Sequence, residues 1–116
     1  MTSQENKLVR SIQGVLTADL LLPCYRGSDN PLAGHCYAAS EALYHLLGGK
    51  DAGYTPATLS VGPITHWFLR GPSGVVDPTA GQFPFSLDYG KGRGRGFLTR
   101  QPSKRAAIII SRVRKP

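Results

Sequence analysis

At Gly48-Gly49 the hydrophobic spacing of this chain changes, and neither an all-helical nor an all-strand fold accommodates the change. Upstream, Ala39, Ala42, Leu43, Leu46 and Leu47 recur at the 3.6 spacing of one helix face. This predicts a helix over 35–47, stopped by the paired glycines. Downstream, residues 57–61, 64–70 and 74–77 have the apolar content and short length of strands. Between the last two, Gly71-Pro72-Ser73-Gly74 has proline at the second position of a tight turn, which predicts a hairpin over 64–77.

Two further helices are expected at the ends. Thr2 and Glu5 fit a capping box, opening a helix to about Gln13 with Leu8, Val9 and Ile12 inward and Gly14 as its stop. Thr17 then caps a short turn over 18–22 that ends at Pro23. Ser103 caps a final helix over 104–113, its core face formed by Ala106, Ala107, Ile109, Ile110 and Val113. Phe97-Leu98 is expected as a short strand. The implied fold is α+β. A helix with an N-terminal cysteine packs on a small antiparallel sheet, and a C-terminal helix closes the core. The length of 116 residues fits a single domain over 1–116.

Charge is unevenly distributed. Residues 1–90 hold five Lys/Arg and seven Asp/Glu, whereas 91–116 hold nine Lys/Arg and no acid. A basic C-terminal segment of this kind fits an acidic protein surface or nucleic acid. Its candidate contacts are Lys91, Arg93, Arg95, Arg100, Lys104 and Arg105. No apolar run approaches the ~20 residues of a membrane span, so no membrane role is expected. The polar start, 1–6, lacks a signal-peptide pattern, which predicts a cytoplasmic protein. Two cysteines, Cys24 and Cys36, are too few for a disulfide scaffold, and in a reducing compartment both are expected as thiols.

One constellation carries chemistry. Gly34-His35-Cys36 sets a thiol at the first turn of the strongest helix. The unsatisfied N–H groups there favour a thiolate, the nucleophilic form, and can receive a developing oxyanion. A cysteine also needs a base, and His66 lies on the first strand of the hairpin. If Pro72 and Ser73 are the two loop residues, Phe68 opposes Asp77. His66 and Asp77 are then a diagonal pair on one face of the sheet. A carboxylate so placed can fix the imidazole tautomer. A loop one residue longer would separate them onto opposite faces.

Gly34-His35-Cys36, His66-Trp67 and Val75-Val76-Asp77-Pro78-Thr79, in that order, resemble the transglutaminase-like branch of the papain-like cysteine hydrolase superfamily. The likeness covers about 34–79. It implies Cys36 as nucleophile, His66 as general base and acid, and Asp77 as orienter. The reaction would be hydrolysis of, or acyl transfer from, an amide or ester through an acyl-thioester on Cys36. No upstream glutamine is clearly placed as a second oxyanion donor, since Gln13 falls near a helix end; Tyr25, Asn30 and His35, with Trp67, are the candidates for oxyanion or substrate contacts. Residues 30–49, 77–83 and 90–106 also resemble small proteins encoded by bacteriophages and their hosts, which would make the compartment the host cytoplasm.

Other chemistries fit less well. Cys24, His35, Cys36, His45 and His66 match no zinc-ligand spacing, so neither metal nor other cofactor is expected. The glycine- and arginine-rich stretch 91–96 lacks the Gly-Lys-Ser/Thr ending of a nucleotide-phosphate loop. Its cations, followed by Phe97, support the alternative of a basic nucleic-acid-binding module or a catalytically degenerate binding protein of phage origin.

Overall fold

The computed structural model describes residues 1–17, 35–97 and 100–114. They include three α-helices, α1 (Ser3–Gln13), α2 (Cys36–Leu46) and α3 (Lys104–Arg114). They also include four strands, β1 (Thr55–Val61), β2 (Ile64–Gly71), β3 (Gly74–Val76) and β4 (Arg93–Gly94). The strands form one antiparallel sheet in the order β3-β2-β1-β4. Helix α2 packs on β2 and β1 and against α3. The fold is therefore α+β, with cysteine as the first residue of the helix that lies on the sheet. Among the described residues no helix is long and apolar enough to cross a membrane.

Period-two alternation splits the sheet between two apolar layers. Leu69 and Val76 face the helices and join Val9, Ile12, Ala39, Leu43 and Ile109. Phe68 faces the other way, with Ala57 and Leu59 and the partly buried Val75, Leu87 and Tyr89. The hairpin has the expected register, Gly71 opposite Gly74, Arg70 opposite Val75 and Leu69 opposite Val76. Gly74 supplies the positive φ of 115° that the tight turn needs. β3 ends at Val76 because Pro78 has no N–H to continue the ladder.

Two buried glutamates organise the helices. Thr2 and Glu5 form the reciprocal capping box, and the Glu5 carboxylate accepts from Thr2 N at 2.7 Å and from the Tyr54 hydroxyl at 2.6 Å. Burial alone would raise the Glu5 pKa; the hydrogen bonds outweigh it and hold the acid below its usual range. Burial and the carboxylate push Tyr54 up to about 12. Glu41, fully buried in the middle of α2, accepts from Ser103 N at 2.9 Å and Ser103 Oγ at 2.6 Å. It thereby puts a carboxylate at the positive end of α3. Ser103 Oγ in turn accepts from Ala106 N at 3.3 Å, the expected cap.

Three expectations change or fall outside the described residues. The strand expected at Phe97-Leu98 is instead β4, which pairs Arg93 with Thr58 and Gly94 with Ala57. Phe97 places its ring against Trp67 and Tyr44 rather than extending a ladder, and Leu98 lies outside the described residues. Ala107 is exposed, because α3 turns the intervening position outward between buried Ala106 and Ile109. The turn expected over 18–22 lies outside the described residues.

Candidate active site

Cys36 opens α2, where no residue three or four positions earlier in the helix accepts its N–H. It is a free thiol, 9% exposed, and its Sγ donates a long contact of 3.8 Å to the Thr65 carbonyl. Thr65 is the residue before His66, so the helix head is held against the strand that carries the imidazole. His66 is fully buried on the face of β2 away from α2's apolar stripe. Its ring lies 5.0 Å edge-on to Phe83 and 6.3 Å from Phe68 in a stacked arrangement. These rings fix the imidazole plane without taking its nitrogens.

His66 Nε2 meets Asp77 Oδ2 at 2.6 Å, and the Asp77 side chain is 4% exposed. This is the diagonal contact across the hairpin that the two-residue loop requires. Asp77 is itself fixed at both oxygens. Thr79 N donates to Oδ1 at 3.1 Å, and the Tyr89 hydroxyl donates to Oδ2 at 2.7 Å. Gln13 Nε2 donates to the Pro78 carbonyl at 2.9 Å, tying α1 to the turn behind the carboxylate.

The second ring nitrogen, Nδ1, is buried with no hydrogen-bond partner among the described residues. With Nε2 committed to Asp77, Cys36 is the other side chain that acts on the ring. Burial works against a charged imidazole. The Asp77 hydrogen bond, followed by the interactions with Cys36, overcomes it and pushes His66 up to about 9. A pKa raised this way favours the imidazolium at neutral pH, paired with the Asp77 carboxylate. Burial and the neighbouring carboxylate raise the Tyr89 phenol as well, so Tyr89 stays a donor.

The other sequence candidates are dispersed. His35 is buried just before α2, and its carbonyl accepts the first helical bond from Ala39 N at 2.9 Å. Trp67 is half-buried on the α2 side of the sheet, 4.8 Å edge-on to Tyr37, and its carbonyl accepts from Ser40 Oγ at 3.1 Å. Tyr25, Asn30 and Cys24 lie outside the described residues. Among the described residues, no three His, Cys, Asp or Glu side chains converge as metal ligands. The basic residues divide: Lys91, Arg93 and Arg95 line one cleft, Arg95 and Arg100 another, and Lys104 and Arg105 begin α3 outside both. Neither cleft is lined by Cys36, His66 or Asp77.

Sequence reasoning missed Tyr89, Thr79 and Gln13 as supports of Asp77. Thr79 was within reach of it, because an aspartate two residues before an N–H often closes an Asx turn. Nothing local marks Tyr89 or Gln13, whose contacts depend on how distant segments fold back. A loop glycine controls the approach of Tyr89's segment. A Cβ on Gly92 would lie 2.7 Å from Phe68 Cζ, and the Gly92 carbonyl accepts from Arg70 Nη2 at 2.7 Å. Comparison of the chain with known proteins finds no matching family model, no similar curated protein and no similar solved structure.

Proposed function

We propose that this protein is a cysteine-dependent hydrolase or acyltransferase acting on an amide or ester, of the transglutaminase-like or papain-like kind. The observation that carries the reading is the His66–Asp77 pair at 2.6 Å, on the strand whose preceding residue, Thr65, takes the Cys36 sulfur contact at the head of α2.

In the reaction the Cys36 thiolate attacks the carbonyl carbon, and the electron pair of the C=O moves to oxygen. The N–H groups of the first turn of α2 receive that oxyanion. As the tetrahedral adduct collapses, the imidazolium of His66 protonates the leaving amine or alcohol, and a thioester to Cys36 remains. Neutral His66 then takes a proton from water or an acceptor amine as it attacks the thioester. Collapse releases acid or new amide, and the thiolate–imidazolium pair is restored. Asp77 keeps Nε2 protonated throughout, so that Nδ1 is the nitrogen that gives and takes the proton.

Limited alkylation with iodoacetamide at neutral pH, followed by peptide mapping, tests the reading. Cys36 should be modified well ahead of Cys24 and at least tenfold faster than a small free thiol. Modification of Cys24 first, or a Cys36 rate no greater than that of the free thiol, overturns it.

A further inference from the structure

β4 is an edge strand; its Arg93 lines one cleft, and Arg95, just beyond it, lines that cleft and a second. The smaller, about 470 Å³, is lined by Thr58, Leu59, Ser60, Lys91, Arg93 and Arg95. Its lining has three cations, two hydroxyls and no acid, and Lys91 Nζ lies 3.8 Å from the exposed Asp88 Oδ2 beside it. The larger, about 670 Å³, shares Arg95 and adds Arg100 and Lys50, with Asp51 as its one carboxylate. The rings of Tyr44 and Phe97 also line it. The two clefts adjoin at Arg95, and together they make a basic groove with hydroxyls in the smaller part and aromatic rings in the larger.

The backbone sets the spacing of its charges. Arg93 pairs with Thr58 in the ladder, and Arg95 N donates to the Pro56 carbonyl at 2.8 Å, so the segment stays extended beyond Gly94. Arginines two residues apart on an extended segment lie on one face about 6.6 Å apart. That separation is comparable to the distance between neighbouring phosphates of an extended single strand. Arg95 Nε donates to Thr58 Oγ1 at 3.1 Å, which orients the guanidinium over the cleft.

We propose that this groove binds single-stranded nucleic acid, with phosphates on Lys91, Arg93 and Arg95 and bases toward Tyr44 and Phe97. Guanidinium forks suit phosphate oxygens, and threonine and serine hydroxyls add neutral donors. Aromatic faces at the far end favour a nucleic acid over an acidic peptide, which has nothing to stack. The groove stands apart from Cys36 and does not depend on its chemistry. Trp67, the only tryptophan, stacks on Phe97 at 5.7 Å and provides an internal reporter.

The test is fluorescence anisotropy of a labelled oligothymidylate of about 12 nucleotides, titrated with the full chain at several salt concentrations. Binding should be accompanied by a change in Trp67 emission. Arg93→Ala/Arg95→Ala should weaken it at least tenfold and reduce the log–log salt slope by about 1.4, at ~0.7 per phosphate contact. Lys7→Ala/Arg114→Ala removes the same charge outside the groove and should change affinity less than twofold, as should Cys36→Ala. Oligoglutamate of matched charge should compete poorly. No binding at roughly 50 mM salt overturns the proposal. So do equal losses in the two double variants, which would make the effect one of net charge, and equal competition by oligoglutamate, which would make the groove a site for acidic proteins.

Discussion

Two carboxylates in this chain each accept a hydrogen bond from a buried or half-buried tyrosine, and their networks end differently. Glu5 takes Thr2 N on one oxygen and Tyr54 on the other, while its own N–H is held by Thr2 Oγ1 at 3.1 Å. That network is closed, and it joins the start of α1 to the approach of β1. Asp77 takes Thr79 N on one oxygen and both Tyr89 and His66 on the other. That network continues through the imidazole to a second, buried nitrogen with no hydrogen-bond partner among the described residues, on the strand that Cys36 touches at Thr65. A closed network fixes the chain, whereas the second is the one on which the proposed function rests. Burial is common to both, so burial alone does not distinguish them.

The largest expected effect is on the second network. His66→Ala should slow alkylation of Cys36 at neutral pH by about 10²–10⁴-fold, the range for losing a positioned acid–base group, as measured by intact-mass kinetics. A loss below tenfold would show that the thiol does not depend on the ring. Asp77→Asn should follow, at about 10²-fold, with the mispaired imidazole also costing about 3–5 kcal/mol in urea unfolding. Glu5→Gln should cost about 1–3 kcal/mol of stability and leave Cys36 alkylation within twofold. If Glu5→Gln silenced the thiol, the two networks would be one.

Titration sharpens the contrast further. His66 is raised from 6.5 to about 9, so the folded chain holds this proton more tightly than the unfolded chain. The resulting stabilisation is complete below about 6.5 and disappears as pH rises through about 9. Urea midpoints measured across that window should fall for the native chain and stay flatter for His66→Ala. Turnover should also decline above about pH 9, where the ring loses the proton it gives to the leaving group. The smallest change is expected from Tyr89→Phe. Removing its donation to Asp77 Oδ2 strengthens the carboxylate's hold on the imidazolium. The alkaline limb should move upward, with less than a tenfold change in rate at neutral pH.

Local and repetitive signals carried most of the fold. The capping box at Thr2 and Glu5, the α2 stripe, the 71–74 turn and the Ser103 cap depend on residues three or four apart, and each stands as expected. The His66–Asp77 contact was legible for a related reason, because loop length fixes strand parity. Legibility ended where distant segments meet. Glu41 lies on a mostly apolar helix, and its partner Ser103 is 62 residues away. β4 has two residues, one of them glycine, too short for any period to show. Tyr89 reaches Asp77 through a loop whose course depends on Gly92 fitting against Phe68.

The Gln13–Pro78 hydrogen bond spans 65 positions, and Arg112 reaches back 97 to the Val15 carbonyl. Closing loops this long is entropically costly, which favours local helices and the hairpin forming ahead of such contacts. The turn carrying Asp77 is therefore braced only once α1 has docked, and α1 is clamped by α3 from the far end of the chain. A nascent or truncated polypeptide would carry the cysteine and the histidine without the bracing that holds the carboxylate. Under the proposed function, reactivity would thus be a property of completed folding, and a half-made chain would be spared an armed thiol.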